Sequence, residues 1–401
     1  MATKLQVERR GASEEAKRPP RRPRLAAQVA RTIEDRILAG QWPIGFQIGR
    51  EAELAIDFGV SRWTLREAVR ILEASGFVET RKGGGGGLFV ASSAHDFVCK
   101  MVSNYFEFIH VGRDEFAAVM AALVGQALDQ SVAQLTAAGR QKIQARLDAI
   151  GDLPLARQLE EAGAIHRALI DGSDNPVLAL FLGALMRITS NAAIYSDLDD
   201  AEWYGAFATV IDATKSLGRS ALDGDLTGAH AANDRVMGQY VLLFENSQLH
   251  LRKSITETAT ARAYGFFPPS RPTKKADHVE RAIREMIFGQ TLPPGAGLGS
   301  EADLLDRFRV GRWVLREALR SLEQLGVVEM GWGWRSGLRV VAPDPAMVAQ
   351  ACCRQLRRER VRRRHLMPVA AMLRDLSGAE GGPTPIVDFF LKVLDEVQAQ
   401  A

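Results

Sequence analysis

The sequence predicts a mainly α fold: two small domains, each ending in a β-hairpin, flank an all-helical bundle. Three observations lead there. One stretch of chain occurs twice, at an offset of 250 residues. Apolar residues recur at helical spacing almost without a break over residues 96–255. The charge is divided, with basic ends around an acidic middle.

The repeat organises the rest. Residues 61–76 read Ser-Arg-Trp-Thr-Leu-Arg-Glu-Ala-Val-Arg-Ile-Leu-Glu-Ala-Ser-Gly, and residues 311–326 read Gly-Arg-Trp-Val-Leu-Arg-Glu-Ala-Leu-Arg-Ser-Leu-Glu-Gln-Leu-Gly. The register holds without a gap from Pro43/Pro293 to Val90/Val340, and 24 of those 48 positions are identical. That is a duplicated module.

Each copy has one plan. Leu65, Ala68, Val69 and Leu72 form a core-facing helical stripe, and Arg62, Trp63, Arg66 and Arg70 lie mostly off it. Ser61 is a good N-cap and Gly76 stops the helix. Glu51–Phe58 reads as a short helix ahead of a turn at Gly59. Two short helices across a tight turn, the second with Arg at its exposed start, describe a helix-turn-helix. Strand-like runs Phe77–Thr80 and Leu88–Val90, around residues 82–87, make a hairpin wing beside it. The glycines at 83–87 do not make a phosphate-binding loop: no Gly-Lys-Ser/Thr follows, and a strand rather than a helix comes next.

These residues resemble the GntR-type winged helix-turn-helix of bacterial transcription regulators. Val60-Ser61-Arg62, Leu65-Arg66-Glu67-Ala68, Leu72 and Gly76 carry the likeness, with the lead-in Ile37-Leu38-Ala39-Gly40, Pro43 and Gly45. The resemblance covers residues 25–91 and again 276–341. It implies DNA contacts from Arg62, Thr64, Arg66 and the wing residues Lys82 and Gly85 in the first copy. In the second it implies Arg312 and Arg316, with Val314 replacing the polar residue. The family often carries a further Arg where this chain has Ala52 and Ala302, so that contact is expected to be missing.

Composition sets outer limits. At 401 residues, 46% of them hydrophobic, the chain has material for two or three cored domains. No apolar run reaches about 18 residues, so no membrane span is expected. The N-terminus is basic and proline-rich, unlike a secretory signal. Cys99, Cys352 and Cys353 fit neither a disulfide framework nor a Cys-x-x-Cys metal site, and a reducing cytoplasm suits them. Residues 1–24 carry eight Lys/Arg against three Glu, whereas residues 96–255 carry 13 basic against 20 acidic residues. Nucleic-acid-binding ends around an acidic body fit that split.

The expected domains follow. Residues 1–22 form a disordered basic tail, read either as solvated chain or as an arm on DNA phosphates. Residues 23–92 are the first winged domain. Residues 95–255 are a bundle with helices near 95–110, 114–135, 137–150, 153–171, 175–196, 200–222 and 225–255. Residues 256–275 are a linker, 276–343 the second winged domain, and 344–401 a truncated bundle-like tail, with Met347–Arg374 as its opening helices. Seven Arg crowd residues 354–364, read as a solvated face or as a DNA-backbone contact.

The bundle is similar to the effector-binding (FCD) domain of FadR-like regulators, clearest at Ile165-His166-Arg167-Ala168-Leu169, Ser173 and Asn175-Pro176-Val177-Leu178. Such domains often use one Asp and three His to hold a metal that binds a carboxylate effector. Here only His166 stands at a ligand position; Ala162, Thr214 and Val236 occupy the others, and Glu161, Asp212 and His230 compensate only if packing gathers them. One imidazole is no transition-metal site, so no metal or other cofactor is expected, and His166 is left as an effector-binding candidate.

The resemblance implies a cytoplasmic regulator of FadR-like type, a repressor rather than an activator. Its partners would be a double-stranded operator, a small-molecule carboxylate and a second copy of the chain in a homodimer, with no membrane. The alternative is a constitutive architectural or co-regulatory DNA binder with a degenerate effector domain. No paired set of Glu-x-x-His motifs, and no Ser/His/Asp or Cys/His set, is visible, so no enzyme is expected.

Overall fold

The computed structural model describes residues 22–43, 45–74, 76–81, 86–91, 94–151, 153–194, 200–248, 275–331, 337–379 and 384–399. The basic tail 1–21, the linker segment 249–274, and the wing residues Lys82, Gly85, Trp332 and Trp334 lie outside them. Contacts divide the chain into two compact units, residues 1–94 and 95–401.

The first unit is the first head. Its elements are α1 (Arg22–Leu38), β1 (Gln47–Gly49), α2 (Glu51–Asp57), α3 (Arg62–Ala74), β2 (Val78–Arg81) and β3 (Gly87–Val90). The stripe read from sequence is the buried face: Leu65, Ala68 and Leu72 are fully enclosed with Ile33 of α1 and Phe77. The turn between α2 and α3 runs through Gly59 at φ +63°, a left-handed conformation that glycine adopts without a Cβ penalty.

The wing differs from the expected two-strand hairpin. It is a three-stranded antiparallel sheet in the order β1-β3-β2. β1 escaped the sequence reading because it is three residues long and its pairing shifts register between Gln47 and Gly49. Gly87 is required where β3 crosses it: a Cβ there would lie 2.7 Å from the Gly49 carbonyl oxygen.

The second unit opens with the bundle helices α4 (Ala94–Phe108), α5 (Arg113–Gln134), α6 (Ala137–Ile150), α7 (Leu155–Asp171), α8 (Pro176–Ile194), α9 (Asp200–Asp223) and α10 (Leu226–Gln248). Each falls within a few residues of its expected place; the predicted stretch 249–255 is outside the described residues. α5 is central, packing against α7, α8 and α10. Asp114–Gln134 is long and apolar enough to cross a membrane, contrary to the sequence expectation. Leu123, Val124, Ala127 and Leu128 of that segment are enclosed in the bundle core, which accounts for its apolarity.

The second head repeats the first: α11 (Lys275–Phe288), β4 (Gly297–Gly299), α12 (Glu301–Phe308), α13 (Arg312–Gln324), β5 (Val328–Met330) and β6 (Leu338–Val340), with sheet order β4-β6-β5. It shares a compact unit with the bundle. Arg284 of α11 reaches Glu107 of α4, Nη2 to Oε1 at 3.2 Å, with both side chains nearly buried.

The C-terminal segment is helical and continues past the expected opening helices. It forms α14 (Pro345–Arg358), α15 (Arg363–Ala379) and a third helix, α16 (Pro385–Ala399). These pack onto α5 and α8 as part of the same unit. Phe389 and Phe390 of α16 bury in the common core beside Phe106 of α4.

Candidate nucleic-acid interface

The start of α3 is built by its cap. Ser61 Oγ accepts the Thr64 amide at 3.1 Å, satisfying a donor the first helical turn leaves over. The same oxygen shares a hydrogen bond with Thr64 Oγ1 at 2.9 Å. Thr64 is therefore turned inward, 4% exposed, rather than presented on the outer face as expected. Its residue type at that spacing signals contact, but its hydroxyl completes the cap. In the second head Gly311 offers no side chain to cap α13, and Val314 sits partly buried at the equivalent position.

Arg62 and Arg66 remain exposed, as do Arg312 and Arg316. Arg66 Nε donates to Glu51 Oε1 at 2.7 Å, and Arg316 Nε lies 3.3 Å from Glu301 Oε1 in an ion pair. Each Glu opens the preceding helix, where its charge also faces the positive end of the helix dipole. Ala52 and Ala302, standing where the resemblance led us to look for a further Arg, are exposed and too short to reach outward.

Trp63 and Trp313 were not singled out as site residues. They are 55% and 71% exposed on the first turn of α3 and α13. The signal was present: a large aromatic off the apolar stripe, identical in both copies. The Arg-rich stretch 354–364 is divided between the end of α14 and the start of α15; Arg357, Arg360, Arg362, Arg363 and Arg364 are exposed, while Arg354 and Arg358 are partly covered.

Inside the bundle, His166 of α7 is fully buried. Burial, and then the neighbouring Arg167 charge, push its pKa down to about 4, so it is neutral at pH 7. Ala162, Thr214 and Val236 are also fully buried, and the Thr214 hydroxyl donates to the Val210 carbonyl at 2.8 Å. Packing does not gather the substitutes. Glu161 pairs with Arg146 at 2.5 Å, Asp212 is an exposed partner of Lys215, and His230 pairs with Asp129 at 2.8 Å. Among the described residues there is no group of three candidate metal ligands. The three cysteines are free and buried, and burial raises the Cys352 thiol pKa well above its ordinary value.

The model of the family described as bacterial regulatory proteins, gntR family, matches residues 25–88 and again 275–334. Each head is similar to the gntR-family helix-turn-helix domain. An uncharacterized HTH-type transcriptional regulator of Mycobacterium tuberculosis is 28% identical over 227 residues, 53% of this chain and 86% of that protein. The HTH-type transcriptional repressor NanR of Enterobacter sp. is 36% identical over 76 residues, 19% of this chain and 29% of the repressor. The Exu regulon transcriptional regulator of Escherichia coli is 40% identical over 62 residues, 16% of this chain and 24% of the regulator. The chain thus spans under a third of the length of the latter two. Streptococcus agalactiae GntR aligns over 54% of this chain and 99% of its own at 19% identity, TM-score 0.37. These relatives are HTH-type transcriptional regulators.

Proposed function

We propose that this chain is a cytoplasmic, DNA-binding transcription repressor of FadR-like type. The observation that carries the reading is the pair of gntR-type heads, each presenting two exposed Arg at the start of its second helix. Arg62 and Arg66 read guanine edges or adjoining phosphates in a major groove. Trp63 adds an apolar contact to sugar or thymine methyl. The family resemblance adds Lys82 and Gly85 as contacts, and Arg312 and Arg316 repeat the scheme in the second head. Selecting bound duplex from a random pool tests this reading. Recovery of a defined site, lost for Arg66→Ala, supports it; no enrichment over unrelated sequence rejects it.

The bundle, in this reading, binds a small carboxylate effector without a metal. Asn104 and Asn233 support it: both are buried, and both amide atoms of Asn104 and Oδ1 of Asn233 have no hydrogen-bond partner among the described residues. A buried polar atom left so costs ~1–3 kcal/mol, which a polar ligand recovers by completing the bonds. Neutral His166 supplies a further polar group in that interior. An effector shifts DNA binding only by preferring one arrangement of the protein. A thermal-shift screen of small carboxylates separates this from the constitutive, architectural alternative: a ligand that binds the native state raises Tm.

A further inference from the structure

The duplication does not stop at the second wing. α4 and α5 recur 250 residues later as α14 and α15, with Val98/Val348, Val111/Val361, Arg113/Arg363, Val119/Val369 and Leu123/Leu373 identical. The backbone repeats too. His110 and Arg360 both turn left-handed at φ 52° and 53°. The amides that follow each helix, Val111 and Val361, donate to the carbonyls of Phe106 and Leu356, again one repeat apart.

The offset then falls from 250 to 209. Asn175-Pro176-Val177-Leu178 opens α8, and Thr384-Pro385-Ile386-Val387 opens α16. Phe181/Phe390, Leu182/Leu391 and Leu185/Leu394 continue the match. The Ala179 amide donates to the Asn175 carbonyl at 3.0 Å, and Asp388 donates to Thr384 at 2.8 Å. The 41 residues lost between the two offsets remove the counterparts of α6 and α7. The C-terminal segment is therefore a shortened second copy, α4–α5–α8 rewritten as α14–α15–α16.

The two copies meet reciprocally. Glu115, near the start of α5, accepts the amides of Ile386 at 2.7 Å and Val387 at 3.3 Å, in the first turn of α16. His365 holds the position of Glu115 in the second copy, and its carbonyl accepts Asn175 Nδ2 at 3.2 Å, at the start of α8. Phe181 and Phe390, the same position in the two copies, stack on each other at 3.8 Å with planes 7° apart. In a two-fold interface residue i meets j of the other copy, j meets i, and residues on the axis meet their own counterparts. The same pattern holds here element to element inside one chain: the start of α5 meets the start of α16, the start of α15 meets the start of α8, and Phe181 meets Phe390.

We propose that α14–α16 are a built-in second subunit. They occupy on α5 and α8 the face through which two copies of the helical domain would pair. The chain then operates as a monomer that carries both heads of a dimer but one complete helical domain, so a single effector site serves two heads. The homodimer implied by the family resemblance is replaced by this internal pairing.

Sedimentation of the full chain without DNA, at micromolar concentration, tests this. The expected mass is that of one chain, 43.9 kDa. A stable species of twice that mass overturns the proposal, including one made by exchange of α14–α16 between chains. Because no DNA is present, this outcome is separate from the DNA-binding reading. In a second measurement, Phe390→Asp removes the stacked pair and should free the α5–α8 face, so that the mass rises with concentration. A variant that remains monomeric with unchanged Tm would show that this contact does not cover the face, against the proposal. If the variant does not fold, the mass of the unaltered chain still decides.

Discussion

Arg66 and Glu51 form an ion pair at 2.7 Å in the first head, and Arg316 and Glu301 repeat it at 3.3 Å in the second. With 62% and 42% of the Arg66 and Glu51 side chains exposed, the pair is worth about 0–1 kcal/mol to folding. Its larger effect is on DNA, because Glu51 both parks the Arg and opposes phosphate. Glu51→Gln should leave Tm unchanged and strengthen binding to unrelated duplex at low salt, with the gain shrinking as salt screens it. A fluorescence titration at two salt concentrations checks this; weaker binding to unrelated duplex would mean that Glu51 orients Arg66 productively.

The two heads should not contribute equally. α3 has a side-chain cap from Ser61, whereas Gly311 leaves α13 without one, and the substituted Val314 carries no hydroxyl. Arg66→Ala should lower affinity for the selected site by ~1–3 kcal/mol, and Arg316→Ala by less. Footprinting each variant separately is the check. Equal, symmetric losses would remove the claim of inequivalence.

Much of this architecture was legible in the sequence, for identifiable reasons. The heads were, because Leu65, Ala68 and Leu72 and their counterparts Leu315, Ala318 and Leu322 keep helical spacing twice. The bundle was, because turn signals such as Asp171-Gly172-Ser173 bound its periodic segments. β1 was not, since three residues with a register shift carry no period-two signal. Thr64 was misplaced because its hydroxyl serves equally as a DNA contact or as part of a cap, and only packing distinguishes them. The second helical copy was legible only as a truncated bundle-like tail, because few of its residues match the first; the helix ends at His110 and Arg360 and the contacts between the copies show which helices it repeats.

His166 makes stability depend on pH in one direction. Its folded pKa, about 4, lies below the ordinary 6.5 of a solvated histidine. The unfolded chain therefore binds the proton first as pH falls. The contribution is complete above pH 6.5 and is lost progressively towards pH 4, amounting to about 3 kcal/mol at most. His166→Gln, which cannot titrate there, should flatten that part of the stability profile relative to the unaltered chain. Urea midpoints from pH 7 to 4 give the comparison; identical slopes would mean that His166 is not the group responsible.

Glu115 holds the second helical copy by its first turn. It is 7% exposed and accepts two amides of α16, Ile386 at 2.7 Å and Val387 at 3.3 Å. Hydrogen bonds to a charged group contribute about 1.5–3 kcal/mol, and truncation leaves the amides to find other partners. Glu115→Ala should cost about 2–3 kcal/mol in urea denaturation. Glu115→Gln, which keeps an acceptor oxygen, should cost less. Equal costs would point to the carboxylate's charge rather than to the hydrogen bonds.

One tie between the second head and the bundle is a nearly buried ion pair. Arg284 and Glu107 meet at 3.2 Å with only 11% and 12% of their side chains exposed, and the Arg284 guanidinium lies 5.4 Å from the Phe288 ring centroid. Taking two charges out of water costs nearly what their attraction returns, but stranding one is expensive. Arg284→Met alone should therefore destabilise the chain, by up to about 3–5 kcal/mol, by taking the guanidinium away from the buried Glu107. Arg284→Met with Glu107→Leu removes both charges and should recover most of that loss. The double-mutant cycle measures the coupling directly. If the double variant is as unstable as the sum of the singles, the pair acts through packing and not through charge.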